Sequence, residues 1–380
     1  MKKVLFKKLL TDYLTFFLLT LLSTSIVIWV FQAVNFLDIM IEDGRDYLVY
    51  INFSLLNFPK ILSKIFPFAL FFSIFYVTTR YELKNELIIF WNFGVHKITV
   101  INFILKISIF LLIFQILLTS LLVPKSQDEA RSFLRSSTVN FFDNFIKPQK
   151  FNDTIKGVTI YSAKKDKDGK LYNLYLKRVI KQNEFQITYA KKGEFRQIGN
   201  IPILVLYDGA TITSANNKVT NISFSKSDFS LGNIETNATT YKKTQEISSP
   251  KLFECIKNFY KLEKENFQLE VKNIENCSYT NMQNIIKEFY KRFIIPFYIP
   301  LLSLIPFLLI TTSKENTNYN KLRVITFLLG LVIIIFSEST IKFITKISIY
   351  DISIMIIPLL LLIFLYSFLF NKFNFKTKKL

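Results

Sequence analysis

The sequence predicts an α+β membrane protein, with six transmembrane helices arranged three plus three around an inserted antiparallel β domain. Three observations carry that reading. Charges vanish from several windows and thin out in others, six in all, each about as long as the ~20 apolar residues a helix needs to cross a hydrocarbon core. A long polar stretch separates the first three windows from the last three. That stretch alternates apolar and polar residues in short runs punctuated by turn dipeptides, as antiparallel strands do. Across 380 residues the chain is 51% hydrophobic, with a mean hydropathy of +0.31. Such clustering excludes an ordinary soluble enzyme and a disordered chain, and two cysteines cannot staple this length as a disulfide scaffold. The formal charge of +20, from 48 Lys+Arg against 28 Asp+Glu, would suit nucleic acid. Basic ends on one side of a membrane explain it better.

The windows are Tyr13–Leu37, Phe58–Thr79, Val100–Val123, Phe293–Thr312, Leu322–Ile341 and Ile352–Phe370. The first is too long for a signal-peptide core and lacks a small-residue cleavage site before Asp38. Pro59, Pro67, Pro296, Pro300, Pro306 and Pro358 would break soluble helices but are tolerated inside bundles. Orientation follows Lys and Arg in the short loops. The amino end holds Lys2, Lys3, Lys7 and Lys8, and the carboxyl end Lys372, Lys376, Lys378 and Lys379. Arg80, Lys84 and Lys97 follow the second span; Lys314, Lys321 and Arg323 follow the fourth. The first loop instead carries Asp38, Glu42, Asp43 and Asp46 against Arg45. An even number of spans then places both termini in the cytoplasm and the long stretch outside. The expected division is a first membrane half over 1–123, an outside domain over 124–290 and a second membrane half over 291–380.

Within the outside stretch, Gly157–Ala163 alternates, and Asp168-Gly169 turns into a second run at Leu171–Ile180. Further runs begin at Glu184, Ile201, Ala210 and Val219, so that Asp208-Gly209 reads as a break between two of them. Short strands at this spacing make an antiparallel sandwich or roll, with helix-like flanks at 125–150 and 250–292. Ile160, Leu174, Leu176 and Val205 fall on the inward face, where they either line a greasy trough or simply pack as core.

Between the second and third spans lies Tyr81–Lys97, too short and too charged to cross a membrane. Leu83, Leu87, Phe90, Trp91 and Gly94 recur at helical spacing near Glu82, Lys84 and Glu86, and Gly94 suits a helix C-terminus. One reading is an interfacial helix lying on the inner leaflet. The other is a coupling helix that docks in a groove of a cytoplasmic motor subunit.

This segment, NELIIFWNFGV at Asn85–Val95, resembles the one after the second span of the LptF/LptG (YjgP/YjgQ) permeases, S/N-E-L-x-x-x-x-x-x-G-V/I-S. The resemblance extends to NFLD at Asn35–Asp38, PKSQDEAR at Pro124–Arg131, the GVTIY opening of the β region, and EFYKRFIIPFYIPLLSLIPF at Glu288–Phe307. It covers nearly the whole chain, and the order and spacing of the motifs are more specific than any one of them. What it implies is a permease subunit of the ABC transporter that extracts lipopolysaccharide from the inner membrane. Such permeases pair as an LptF–LptG heterodimer on an LptB ATPase dimer and pass lipopolysaccharide to LptC and LptA through a periplasmic β-jellyroll. QAVNFLD, GVTIY and DGKLYNLYL look more like LptF than LptG; an LptG subunit is the alternative. The resemblance implies motor coupling at Glu86, by its position in the matching segment, with Glu82 second and Gly94 closing the helix. A solvated helix face is the competing reading for both acids. ATP and Mg belong to the partner ATPase, so the chain itself needs no cofactor, and nucleic acid is not a partner.

Lys60 and Lys64, four apart, sit at the outer end of the second span, and Lys342 and Lys346 at that of the fifth. Ionisable residues at a span's edge are rare and often functional. With lipopolysaccharide as cargo they are candidates for holding lipid phosphate, against ordinary snorkelling or an i,i+4 pair of Glu338 with Lys342. The chain departs from the family here, because FQAVNFLD at the outer end of the first span carries no Lys or Arg. Phe17, Leu21 and Trp29 could face acyl chains, bulk lipid or neighbouring helices. Cys255 and Cys277 fall in the outside stretch, where a disulfide and two buried thiols are both open. Metal binding is not expected with a single histidine, His96. No phosphate loop, G-x-S-x-G elbow or HExxH motif occurs, so the chain is not expected to be an enzyme. Lipoprotein-releasing or FtsX-like permeases have four spans with the large domain after the first, unlike this order. A membrane lipid-modifying enzyme would need acidic or histidine clusters at one face, and only Asp38–Asp46 comes near.

Overall fold

The computed structural model describes residues 2–41, 47–136, 146, 148–155, 158–166, 169–181, 184–198, 201–215, 218–230, 242–261, 274–344 and 349–374. The loop at 42–46, Lys346, and Lys376, Lys378 and Lys379 lie outside the described residues. Among the described residues, six helical stretches are long and apolar enough to cross a membrane: Lys2–Leu37, Tyr47–Leu83, Lys97–Phe133, Tyr279–Thr311, Tyr319–Phe343 and Ile354–Phe373. Between the third and fourth lies an antiparallel sheet of six strands, so the chain is an α+β membrane protein with a β-rich insertion. Two compact units result, one formed by Met1–Val30, Asn57–Asp128 and Tyr241–Leu380, the other by Phe31–Leu56 and Glu129–Thr240.

The helices are α1 (Lys2–Ile41), α2 (Tyr47–Leu83), α3 (Glu86–Asn92), α4 (Lys97–Leu117), α5 (Val123–Ser136), α6 (Ser249–Lys261), α7 (Met282–Phe293), α8 (Tyr298–Leu304), α9 (Tyr319–Phe343) and α10 (Ile349–Asn374). A π turn over Leu118–Leu122 joins α4 to α5 without a break. The fourth span is segmented. Pro296, Pro300 and Pro306 lack the amide that the helix ladder needs, and 3-10 turns at Ile295–Phe297 and Ile305–Thr311 bracket α8. It is also the centre of the helical unit: 72% of its most apolar window is buried, against 11% for the last span. Around it Leu9, Tyr13, Phe17, Leu21, Phe66, Ile101 and Phe307 form the principal core. Some polar groups inside pair with each other or with backbone, as burial favours: Tyr13 Oη meets Thr78 Oγ1 at 2.8 Å, and Ser73 donates to the Tyr13 carbonyl at 3.1 Å. Gly330 lets α9 press on α2, for a Cβ there would strike the Phe71 ring.

In the second unit, β1 (Phe151–Ile155), β2 (Val158–Lys165), β3 (Leu171–Lys181), β4 (Glu184–Ile198), β5 (Ile201–Ala215) and β6 (Lys218–Ser230) pair in sequential order. Among the described residues this is an up-and-down meander with no crossover. The break expected at Asp208-Gly209 is absent, and β5 runs through it as one strand of 15 residues. Asp208 takes a left-handed φ of 51° instead, as does Asn173 on β3, a conformation that short polar side chains tolerate best. Both lie on one row, Ala163–Asn173–Lys191–Asp208–Ser225, that the bridge pairs skip from β2 through to β6. The result is a crease in the ladder. Buried Ser162 Oγ lies 2.9 Å from the Lys164 carbonyl and 3.1 Å from that of Tyr172, serving acceptors beside the crease. Ile160, Leu174, Leu176, Leu204, Leu206 and Phe229 share a buried cluster on one face. The sequence predicts Val205 there as well, but strand alternation gives the cluster its neighbours Leu204 and Leu206. Phe151, Tyr161, Tyr175 and Tyr189 line up across β1–β4 on the opposite face.

Candidate functional site

The α3 end of the helical unit is built on two left-handed residues. The sequence predicts one helix over 81–97. In the structure α2 instead runs to Leu83, and Asn85, with φ 61°, breaks it before α3 begins at Glu86. A helix cannot continue through that conformation, so α3 is seven residues long. Its far end closes on Gly94, φ 66°. The Gly94 amide donates to the Trp91 carbonyl at 3.0 Å and the Val95 amide to that of Phe90 at 3.0 Å. These two bonds, with Phe90 and Val95 both buried, form a Schellman stop.

Leu87 and Phe90 anchor α3 in the principal core, with Phe90 edge-on to Phe6 of α1 at 6.0 Å. Leu83, Ile88, Ile89 and Phe93 stay exposed. Glu86 is half-buried in the first turn, where a carboxylate suits the positive end of the backbone dipole. Glu82, near the end of α2, is half-buried and feels the charges of Lys97 and Lys314. Lys97 ties the region to two other spans: its ammonium donates to the Ile310 carbonyl at 2.9 Å and lies over the Trp91 and Phe373 rings. Lys2 donates to the Gly94 carbonyl at 3.2 Å. Asp12 of α1 accepts from Arg80 at 2.9 Å and from Tyr81 at 2.7 Å. Contacts therefore link the α3 region to α1 and α4, and through Lys97 to the fourth span.

At the opposite end of α2, the candidate lysines part company. Lys60 is half-buried and donates to the side-chain carbonyls of Gln245 at 3.0 Å and Gln127 at 3.5 Å, while Gln127 donates to Asn57 at 2.9 Å. Lys64 is exposed. On α9, Lys342 and Glu338 are both exposed. Lys346 lies outside the described residues.

Of the apolar candidates, Phe17 and Leu21 are buried between helices, Phe17 edge-on to Phe66 at 5.1 Å. Trp29 is half-buried beside Phe58 at 6.5 Å. Ile160, Leu174 and Leu176 are all buried in the sheet cluster. Cys255 and Cys277 form a disulfide that ties α6 to the segment leading into α7, with Cα atoms 6.2 Å apart. Its loss is expected to cost roughly 3 kcal/mol, the scale for closing a loop of this size. Thermal melts of the Cys255→Ser, Cys277→Ser pair against the oxidised protein measure it.

Arg292 is absent from the residues that the sequence singles out. Only 2% of its side chain is exposed. Its guanidinium donates from Nε to Glu288 Oε1 at 3.1 Å, from Nη1 to the Ile247 carbonyl at 2.8 Å and Ser249 Oγ at 3.1 Å, and from Nη2 to the Gln245 carbonyl at 3.0 Å. A signal is present in the sequence: an arginine at the mouth of an apolar run, one turn after a glutamate, is rarely idle. Its other partners lie 43 to 47 residues away in sequence, beyond what local pattern reveals.

Among the described residues no cluster of His, Cys, Asp and Glu could hold a metal ion. Among the described residues, six helices able to span a membrane and a β insertion between them define a polytopic membrane protein. The chain belongs to the LptF/LptG family, described as lipopolysaccharide export system permease, whose model matches residues 7–372. The members of that family are transport permeases of the lipopolysaccharide export system. No curated protein matches the chain.

Proposed function

We propose that this chain is the LptF-type subunit of the exporter, paired with an LptG-like permease on an LptB-like ATPase dimer and handing lipopolysaccharide to LptC and LptA. An LptG role in the same complex is the nearest alternative. The observation that carries the reading is α3: a short helix bounded by left-handed residues at both ends, apolar where it meets the bundle, and presenting Ile88 and Ile89 outward beside Glu86, with exposed Leu83 and Phe93 flanking it. That is the surface a groove on a motor would grip. ATPase closure pushes on α3, the push passes through Leu87 and Phe90 into the core, and the lipid cavity narrows. Both termini are cytoplasmic and the sheet is periplasmic. The loop charges support this, as does a disulfide near the sheet insertion, which suits an oxidising compartment.

Lys60, Lys64 and Lys342 are offered as phosphate-facing lysines of the lipid path. Lys64→Ala with Lys342→Ala is expected to lower lipopolysaccharide crosslinking several-fold, while Lys60→Ala also removes the donor to Gln127 and Gln245. Unchanged crosslinking in the first pair assigns those lysines to snorkelling. The reading as a whole is tested by native mass spectrometry of the tagged chain from gently solubilised membranes. Recovery with a second permease, two ATPase copies and lipopolysaccharide is expected; a different ATPase, or none and no glycolipid, overturns it.

A further inference from the structure

We propose that Arg292 is a positioning residue, a buried clasp that holds the returning chain at 245–249 against the third span so that bundle movement reaches the β domain. The proposal rests on the permease reading. The chain leaves the helical unit at Asp128 and re-enters it at Tyr241. Next to both crossings, Lys242 pairs with Asp128 at 2.6 Å, tying the leaving segment to the returning one. From there a run of polar contacts fixes the returning segment on the bundle. Gln245 offers its side-chain oxygen to Lys60 of α2 and its backbone carbonyl to Arg292. Ile247 offers its carbonyl to Arg292, and Ser249 accepts from it.

The third span is drawn in by its π turn. Thr119 Oγ1 donates to the Arg292 carbonyl at 2.9 Å, and Ser249 Oγ donates to the Ser120 carbonyl. A π turn shifts the i→i−4 ladder inside an apolar span, and within this one the Ser249 hydroxyl donates to the Ser120 carbonyl. Arg292 therefore joins three things: the return segment, the third span, and α7, which leads directly into the proline-segmented centre of the bundle. A guanidinium is the side chain for this because its planar fork reaches several acceptors at fixed angles, which an ammonium cannot.

The same geometry separates this role from lipid binding. Every nitrogen of Arg292 is engaged within the chain, and the side chain is 2% exposed, so no face is left for a lipid phosphate. Glu288 Oε1 lies against Nε, balancing the charge where water does not reach.

The test uses the whole complex in proteoliposomes, with lipopolysaccharide as the lipid, reading ATP hydrolysis, lipid delivered per ATP, and hydrogen exchange of the 244–249 amides. Arg292→Met is expected to keep hydrolysis within about twofold while lipid per ATP falls at least ~tenfold and 244–249 exchange faster. Arg292→Lys is expected to recover little of that loss, since charge alone does not rebuild the fork. Faster exchange with lipid per ATP unchanged overturns the proposal, because the clasp is then released without cost to coupling. Should Arg292→Met fail to assemble, Ser249→Ala decides: a roughly threefold or greater loss of lipid per ATP supports the clasp, and none overturns it. If the unaltered complex delivers no lipopolysaccharide, the permease reading falls and takes the clasp with it. If the unaltered complex and Arg292→Met deliver equally, the clasp alone falls.

Discussion

Glu86→Arg is expected to abolish capture of the partner ATPase, and with it lipopolysaccharide transport, while the chain itself stays folded. Glu86 opens α3 from a half-buried position, and the helix is held by Leu87 and Phe90 from beneath rather than by the acid. Reversing its charge puts a cation at the positive end of the helix dipole, a cost of a few tenths to about 1 kcal/mol. At the ATPase interface proposed for Glu86 the expected loss is larger. Truncating one member of a buried charge pair costs about 2–5 kcal/mol, roughly thirtyfold to several thousandfold in affinity. Co-purification of the ATPase with the Glu86→Arg chain measures this directly. Glu82→Gln is expected to weaken capture less, because Glu82 already answers to Lys97 and Lys314 within its own chain. Wild-type levels of bound ATPase in Glu86→Arg would move coupling away from α3.

The second large effect is expected at Leu176. It is 1% exposed, pairs across the sheet with Ile160 on β2 and Thr188 on β4, and belongs to the buried cluster. Leu176→Lys leaves an ammonium in that cluster with no acid in it to answer. The cost is of order 3–5 kcal/mol, the scale of an uncompensated buried charge, enough to unfold the sheet domain. Leu176→Met keeps volume and chemistry and is expected to cost under about 1.5 kcal/mol. Transport separates the two roles open for this face. If the cluster is only core, Leu176→Met transports normally. If acyl chains slide along it, a photoreactive side chain at position 176 crosslinks lipopolysaccharide during ATP turnover. Limited proteolysis of the 129–240 segment reads the stability arm.

Much of this is legible in the sequence for simple reasons. The six spans announce themselves because a charge in hydrocarbon is costly, and one charge, Lys106, interrupts the third window. The strands show because alternation of buried and exposed residues is a period of two. Gly94 shows because a left-handed stop favours glycine. What stays hidden depends on contacts far apart in sequence or on conformations open to ordinary residues. Nothing local tells that Asn85 turns left-handed and cuts a helix, or that Asp208 does so without ending a strand. The π turn at Leu118–Leu122 sits in an unremarkable apolar run. Lys60 looks like a surface cation in the sequence, and only the fold brings Gln127 and Gln245 to it across 67 and 185 residues.

Because every strand of the sheet pairs with the strand just before it, the domain asks nothing of the chain that follows in order to begin folding. Each hairpin closes on residues already made, the low-separation pairing that folds fastest, and a chain threaded outward can add strands in order of synthesis. Arg292 is made only after the whole insertion. Its bonds to Gln245, Ile247 and Ser249 therefore form once every strand of the sheet has already been made, so the return segment is fastened behind a sheet that is free to have folded.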